Sequence, residues 1–217
     1  MEPLHPELDG LYVVLVGNFN PAIVQPAWLA RHGLVSDAEG EDAEIEIIRP
    51  EIAAYRLGPF RFVLQHERFQ VETAQPDQGF RLRDTVGRTL AILKETPVRQ
   101  IGINRTMHFS MASEDAWHQV GHRLSPKEIW TDLLEKPGTT SVSVQGQRPG
   151  ADSKQLTVRV EPSLQIRPGV FIQTNEHFES ASDGTEWAVD VLSKSWDSSQ
   201  TYALRLAQGI LDKCLHS

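Results

Sequence analysis

The chain has 217 residues and a formal net charge of −8, from 21 lysines and arginines against 29 aspartates and glutamates. Hydrophobic residues make up 40% and charged residues 23%, a balance typical of a folded globular protein rather than a disordered one. A nucleic-acid partner requires a cationic field, and the basic residues are not clustered in the sequence. We therefore expect no nucleic-acid partner.

The sequence predicts no signal peptide, transit peptide or membrane span. The first residues are acidic and interrupted by proline, unlike a signal or transit peptide. The longest apolar run, residues 11–16, is far shorter than the roughly 20 residues of a membrane span. The single cysteine, Cys214, has no partner for an intramolecular disulfide, which fits a reducing compartment. We expect a cytoplasmic protein with no membrane contact.

The first half of the chain predicts a strand, a helix and several further strands. Residues 11–16 are apolar on both faces, as in a central strand. Pro21 suits the first turn of a helix that stops at Gly33, and an acidic loop follows at residues 36–42. Alternating segments then predict strands at 44–48, 53–57 and 61–73, the last with a bulge at 65–67.

Residues 80–95 show a helical period, and residues 98–111 then give the clearest alternation in the chain. One face of the second segment carries Ile101, Ile103, Arg105, Met107, Phe109 and Met111. The other carries Gly102, Asn104, Thr106, His108 and Ser110. Because Arg105 shares the apolar face, we expect it to pair with a carboxylate, and Glu67 is the candidate.

The second half repeats this order of elements. We predict a strand at 117–123 and a helix that runs from the capping box Ser125-Pro126-Lys127-Glu128 to Leu134. Strand-like segments follow at 140–147, 155–161 and 165–178, and a final helix begins near Ser198.

Residues 62–69 and 171–178 follow one pattern and lie 109 positions apart. Each begins with Phe and a β-branched residue, has Glu five positions after that Phe, and has a second Phe two positions later. This spacing predicts a duplicated unit of strand, helix, antiparallel strands and helix, with pseudo-repeats at about 10–113 and 115–214. No linker rich in Gly, Ser or Pro separates the halves, so we expect a single structural domain over 1–217. The predicted class is α+β, an antiparallel sheet with helices packed on one face.

Motifs for catalysis are absent from the sequence. It contains no Gly-x-Ser-x-Gly, no Gly-x-Gly-x-x-Gly and no Walker-type loop, and no base is identifiable near Cys214. A non-enzymatic protein without a cofactor is therefore favoured. His118 and His122 would be about 13 Å apart in a strand, too far for joint metal ligation, although in a helix they could chelate. His66 and His108 are more typical of sheet histidines than of ligands, and we predict no metal site.

Several residues are candidates for binding. Asn18 and Asn20 flank Phe19 before a predicted helix, where they either bind an anion or a partner's backbone or, more commonly, supply turn conformations and local caps. Asn104 and Arg105 pose a similar choice between structural pairing and binding. The full candidate set is Asn18, Asn20, Asn104, Arg105, Met107, His108, Phe109, Met111 and Trp117.

Two segments carry a resemblance to a known family. They are Pro97-Val98-x-x-Ile101-Gly102-Ile103-Asn104-Arg105 and Val170-Phe171-Ile172-Gln173-Thr174-Asn175-x-x-Phe178. This pattern resembles a sporadically distributed bacterial family of uncharacterised proteins that have an Asn-Arg strand motif. Here Gly102-Ile103 replaces the Arg-Tyr-x part of that motif, and the family's aspartate-rich turn is absent. The resemblance implies a bacterial origin and no particular activity.

The predicted architecture favours a binding or assembly protein. An antiparallel sheet with helices on one side leaves its other face for a protein partner or a second copy of the chain, and exposed apolar residues mark such faces. Met107, Phe109, Met111 and Trp117 would supply them. The alternative is a carrier of a small apolar ligand, held in a cavity between the sheet and the long helices.

Overall fold

The computed structural model describes residues 4–180 and 184–216. Nine strands form one antiparallel sheet in the order β2-β3-β4-β5-β1-β6-β9-β8-β7. The strands are β1 (Leu8–Gly17), β2 (Glu44–Arg49), β3 (Ile52–Leu57), β4 (Phe60–Gln65), β5 (Arg68–Thr73), β6 (Val98–Ser110), β7 (Val142–Gly146), β8 (Gln155–Pro162) and β9 (Gly169–Glu179). Five helices complete an α+β fold, which confirms the predicted class.

The helices are α1 (Pro26–Arg31), α2 (Asp37–Glu41), α3 (Gly79–Ile92), α4 (Glu114–Leu124) and α5 (Glu186–His216). All except the short, exposed α2 bury apolar side chains against the same face of the sheet. Within the described ranges, no helix has the length and apolar character needed to cross a membrane.

Two apolar clusters lie between the sheet and the helices. The larger packs α1, α3 and the first half of α5 on β1 and β3 to β6, with Leu82, Val86 and Trp196 among its buried residues. The smaller packs α4 and the second half of α5 on β6, β8 and β9, with Met107 and Leu211 at its centre. Side chains alternate along a strand, so burying one set in these clusters directs the other set to the opposite face.

An aromatic stack anchors the larger cluster. The rings of Tyr55 and Phe62 lie nearly parallel with centroids 5.0 Å apart, and Phe69 continues the stack 6.4 Å from Phe62. Phe19 meets the edge of Phe69 at 5.8 Å. The Tyr55 hydroxyl donates to the carbonyl oxygen of Val24, and burial raises the pKa of this phenol. The stack thereby joins β3, β4 and β5 to the segment that follows β1.

The two halves share an arrangement but not the equivalence that the sequence suggested. Each half begins with a central strand, β1 or β6. The chain then moves to one edge of the sheet and returns strand by strand to the centre, through β2 to β5 in the first half and β7 to β9 in the second. A long helix follows, α3 or α5. Phe62, however, lies on β4, two strands from β1, whereas Phe171 lies on β9, directly beside β6. The 109-residue offset therefore aligns a hairpin with an uninterrupted strand, and the duplication is not confirmed.

Several predicted elements differ in the structure. The strand predicted at 61–73 is the hairpin β4–β5, which turns at the position of the expected bulge. Residues 117–123 belong to α4 and not to a strand. The helix predicted from Ser125 to Leu134 is a series of turns, and α5 begins at Glu186, twelve residues before Ser198.

The acidic segment is also structured. A reciprocal capping box between Ser36 and Glu39 closes the first turn of α2, so residues 37–41 are helical rather than a loop. Glu39 also pairs with Arg81 on α3, and this contact and its bond to Ser36 lower the pKa of the Glu39 carboxyl.

Candidate functional site

The face of the sheet opposite the helices, called the open face below, is lined by polar side chains in register. One row crosses eight strands and places a polar or charged side chain on each. From β3 to the β7 edge it contains Arg56, Arg61, Glu72, Tyr12, Asn104, Asn175, Thr157 and Gln145, each the direct cross-strand partner of the next.

Hydrogen bonds fix the central side chains of this row. Asn175 donates to the side-chain oxygen of Asn104, and the Asn104 amide nitrogen donates to the Gly102 carbonyl at 2.9 Å. Gln173 donates to the hydroxyl of Tyr12. Gly102 leaves room for the two amides, because a Cβ there would lie 2.9 Å from the Asn175 amide nitrogen. These bonds hold the side chains at the centre of the open face in one arrangement.

Tyr12 keeps its proton in this setting. Burial raises the pKa of the phenol, an effect that the hydrogen bond from Gln173 and the charges of Arg159 and Arg68 oppose. Its oxygen accepts from Gln173, and no described residue accepts the phenolic proton. That hydrogen is available to an acceptor on a bound molecule.

The open face is concave over its central strands. A groove of about 630 Å³ runs over β5, β1, β6 and β9, and the turn at Gly58-Pro59 forms one wall. Arg159 and Phe171 lie on the opposite side. Asn104 is 1% exposed and lies against the Asn175 amide, beside the groove and not in its lining.

Most of the arginines on the open face are already paired. Arg61 bonds both Glu46, at 2.7 Å, and Glu72, at 3.2 Å, and the bond to Glu46 is the main cause that raises the pKa of its guanidinium. Arg159 lies 3.5 Å from Glu161. Arg68, in contrast, bonds only the amide of Gln70 and forms no ion pair with a described carboxylate. Among the described arginines of the groove, Arg68 is therefore the one whose charge is not paired with a carboxylate.

One end of the open face is aromatic. His108 and Phe171 lie side by side with ring centroids 4.8 Å apart, and Arg159 sits 5.7 Å from the Phe171 ring. Ser163, in the loop after β8, lies 2.8 Å from Nδ1 of His108. Burial lowers the pKa of His108, and burial together with Lys154 lowers that of His177.

These shifts predict how stability depends on pH. A histidine whose pKa is lower in the folded chain binds fewer protons there than when unfolded, so its contribution is present above about pH 6.5 and is lost as the pH falls. We expect the free energy of unfolding to drop between pH 7.5 and 5.5, and to drop less in His108→Asn, whose amide keeps a partner for Ser163. Urea unfolding at the two pH values measures this difference. Equal drops in the wild type and in His108→Asn would contradict this prediction. The pKa values of the Glu39 and Glu46 carboxyls are lowered, so these groups stay charged between pH 7.5 and 5.5.

The apolar candidates do not lie on the open face. Met107 and Phe109 are fully buried and Met111 is 5% exposed, all within the smaller cluster beneath α4 and α5. Trp117 lies on α4 and packs against the same cluster. The expectation that they form an exposed association patch is wrong, because their face of β6 is the one that the helices cover.

Arg105 and Asn104 lie on opposite faces of β6, as the alternation predicted. Arg105, on the helix side, forms two bonds to the Asp9 carboxylate, 2.9 and 2.5 Å long, and donates to the Gln200 carbonyl at 2.8 Å. Its partner is Asp9 rather than the predicted Glu67, because β1 and not the β4–β5 turn lies beside β6. Asn104 belongs to the open face, where it joins the central row.

Asn18 and Asn20 are exposed in the turn after β1. The Asn20 side-chain oxygen accepts from the backbone N–H of Ala22 at 3.0 Å, and the Asn18 N–H donates to the Pro97 carbonyl. The helix that they were expected to precede starts only at Pro26. The structure therefore gives these asparagines bonds within the turn and places them away from the groove.

His118 and His122 share one side of α4, the geometry in which a chelating pair is possible. Across residues 4–180 and 184–216, no group of three or more His, Cys, Asp and Glu side chains is arranged to hold a metal ion. His66 lies in the β4–β5 turn and does not meet His108.

Sequence reasoning did not select six residues of the open face. Five of them line the groove: Tyr12, Arg68, Arg159, Phe171 and Gln173. The sixth, Asn175, lies beside Asn104 in the central row. Gln173 and Asn175 alternate with Thr174 and Glu176 along β9, a period-two pattern that marks them as one face. Tyr12 had a weaker signal, since its strand is apolar on both sides.

No protein-family model matches the chain, and no curated protein matches it. The resemblance to the bacterial family stays a prediction based on residues of β6 and β9.

Proposed function

We propose that this chain is a binding protein that recognises a protein partner, or a second copy of itself, through the groove on the open face. The observation that carries the proposal is a concave groove on a sheet face that none of the described helices covers, lined by arginines, Phe171 and a Tyr12 that Gln173 holds in place. Tyrosine, other aromatic residues and arginine are the residues that dominate protein interfaces.

The charges favour a protein over a polyanion. Nucleic-acid binding draws its affinity from free cations that replace counterions on phosphates. Here Arg61 and Arg159 already bond carboxylates, and the whole chain carries a net charge of −8. A mixed surface of paired charges, amides and aromatic rings instead suits a polar protein segment, whose backbone offers both donors and acceptors.

Arg68 should be the most sensitive position. It is the unpaired guanidinium at the groove, so reversing its charge removes an anchor without leaving a carboxylate alone. We expect Arg68→Glu to weaken binding by about 30-fold, the cost of an interface hot spot of roughly 2 kcal/mol. Arg205→Glu is the matched control, because Arg205 is an exposed arginine on α5, on the other side of the sheet.

The measurement has two stages. Light scattering of the purified chain over a wide concentration range determines whether it self-associates, and if so the dimer constant is compared between Arg68→Glu and Arg205→Glu. If the chain is monomeric, quantitative affinity purification from the native cells compares the proteins recovered by the two variants. Recovery of the same proteins by both variants, from a strictly monomeric chain, contradicts the proposal.

A further inference from the structure

A second concave site lies on the opposite side of the sheet, at α4. This site, called the α4 pocket below, measures about 650 Å³ and lies between α4, the segment 127–139 and the ends of β8 and β9. That volume falls within the range of small-molecule sites. The open-face groove is formed by other residues, so the two sites are separate.

The interior of the α4 pocket is mostly apolar. It is lined by side chains that also belong to, or pack against, the smaller cluster: Trp117, Val120, Leu124, Val160 and Val170. An apolar ligand body placed here would extend the cluster and remove these side chains from water.

The pocket wall carries more unpaired positive than negative charge. Lys127 and Lys136 line it, and neither forms an ion pair with a described residue. Of the carboxylates on the wall, Glu161 lies 3.5 Å from Arg159, which leaves Asp115 as the one without an ion pair among the described residues. His118 and His122 add two imidazoles, which are further donors when protonated.

Two backbone features distinguish the pocket wall. Gly121 lies inside α4 at the pocket wall, where a glycine destabilises a helix by roughly 0.5–1 kcal/mol relative to alanine. An alanine would fit, since a Cβ at this position meets nothing closer than Thr139 at 3.7 Å, so packing does not require glycine. Lys136 adopts φ of 50°, the only positive φ of a non-glycine residue in the described ranges, and such conformations cluster at ligand sites.

We propose that the α4 pocket binds a small amphipathic anion, a molecule with an apolar body and one carboxylate or similar anionic head. The apolar body lies against Val120, Val160 and Val170, and the head meets Lys127 and Lys136 at the wall. This site does not depend on the groove, so the chain has two binding functions on opposite sides of one sheet.

The test uses the fluorescent probe 8-anilinonaphthalene-1-sulfonate with decanoate, decanol and decylamine as competitors. We expect the probe to bind the wild-type chain and decanoate to displace it at lower concentration than the other two. The double variant Lys127→Glu/Lys136→Glu should weaken decanoate by about tenfold or more, because a charge-assisted hydrogen bond is lost, and should leave decanol unchanged.

Filling the pocket provides the structural control. Gly121→Phe should abolish probe binding, whereas Gly87→Phe, at a glycine of α3 with nothing within 4 Å of its Cβ, should not. If Gly121→Phe loses its circular dichroism spectrum, Thr139→Trp fills the pocket from the facing loop. Arg68→Glu should bind the probe as the wild type does, which separates this site from the groove. Probe binding that survives in the filled variants, or displacement by decylamine as good as that by decanoate, would overturn the proposal.

Discussion

Replacing Arg148 by methionine should lower the free energy of unfolding by about 3–5 kcal/mol, the cost of leaving a buried charge without its partner. Glu176 is 3% exposed and lies beneath α5, where Nε of Arg148 donates to its carboxylate at 2.8 Å. Arg148 also donates to the Ser198 hydroxyl and lies 5.6 Å from the Tyr202 ring. The methionine would keep part of that packing but not the charge.

Urea denaturation at pH 7 measures this loss, and two further variants show its origin. The double variant Arg148→Met/Glu176→Leu should recover most of the stability, because it removes both charges from the buried site. Arg159→Met is the matched control: it breaks an exposed Arg–Glu pair on the same sheet and should cost at most about 1 kcal/mol. A loss in Arg148→Met no larger than in Arg159→Met would show that Glu176 is not held by this pair.

Replacing Phe62 by alanine should destabilise the chain by about 3–5 kcal/mol, the usual cost of removing a large ring from a packed core. Phe62 is fully buried and lies in the stack between Tyr55 and Phe69, so its loss leaves a cavity that touches β3, β4 and β5. Neighbouring strands hold Tyr55 and Phe69, so we expect these rings to fill only part of the space.

Thermal and urea unfolding measure this effect. Phe80→Ala is the control, because Phe80 is 65% exposed on α3, where its ring lies beside the guanidinium of Arg83. We expect that variant to stay within about 0.5 kcal/mol of the wild type. A similar loss in both variants would mean that the stack does not anchor the larger cluster.

Local patterns in the sequence predicted much of the fold. The alternation along residues 98–111 fixed which side chains of β6 face the helices, because a strand in a half-buried sheet must separate apolar from polar residues. The helical period of residues 80–95 likewise predicted α3. Both segments are long and regular, so neighbouring structure could not override their preference.

Predictions from short or mixed segments are wrong in two places. Residues 117–123 belong to a helix whose signals lay upstream: Ser113 as the N-cap, with Glu114 and Asp115 in the first turn. Trp117, Val120 and Leu124 follow at helical spacing. The hairpin turn after Gln65 contains no glycine, asparagine or proline, so none of the usual turn residues marks it.

The groove itself could not be predicted from local patterns. It exists because β1 lies between β5 and β6, which brings Tyr12 beside Asn104 and Glu72. Those contacts join residues 92 and 60 positions apart, and strand order over such separations is a property of the whole sheet. The sequence could identify the polar face of one strand but not its neighbours.

The helix α5 has a further consequence for folding. Its 31 residues, about 46 Å of helix, carry Leu192 and Trp196 in the larger cluster and Ala207 and Leu211 in the smaller one. Between them it meets Arg105 through the Gln200 carbonyl. If either cluster unfolds, half of α5 loses its packing against the sheet. Because helix formation is cooperative, the other half of α5 is then destabilised as well. The two interiors are therefore coupled through one continuous backbone and should melt in a single transition.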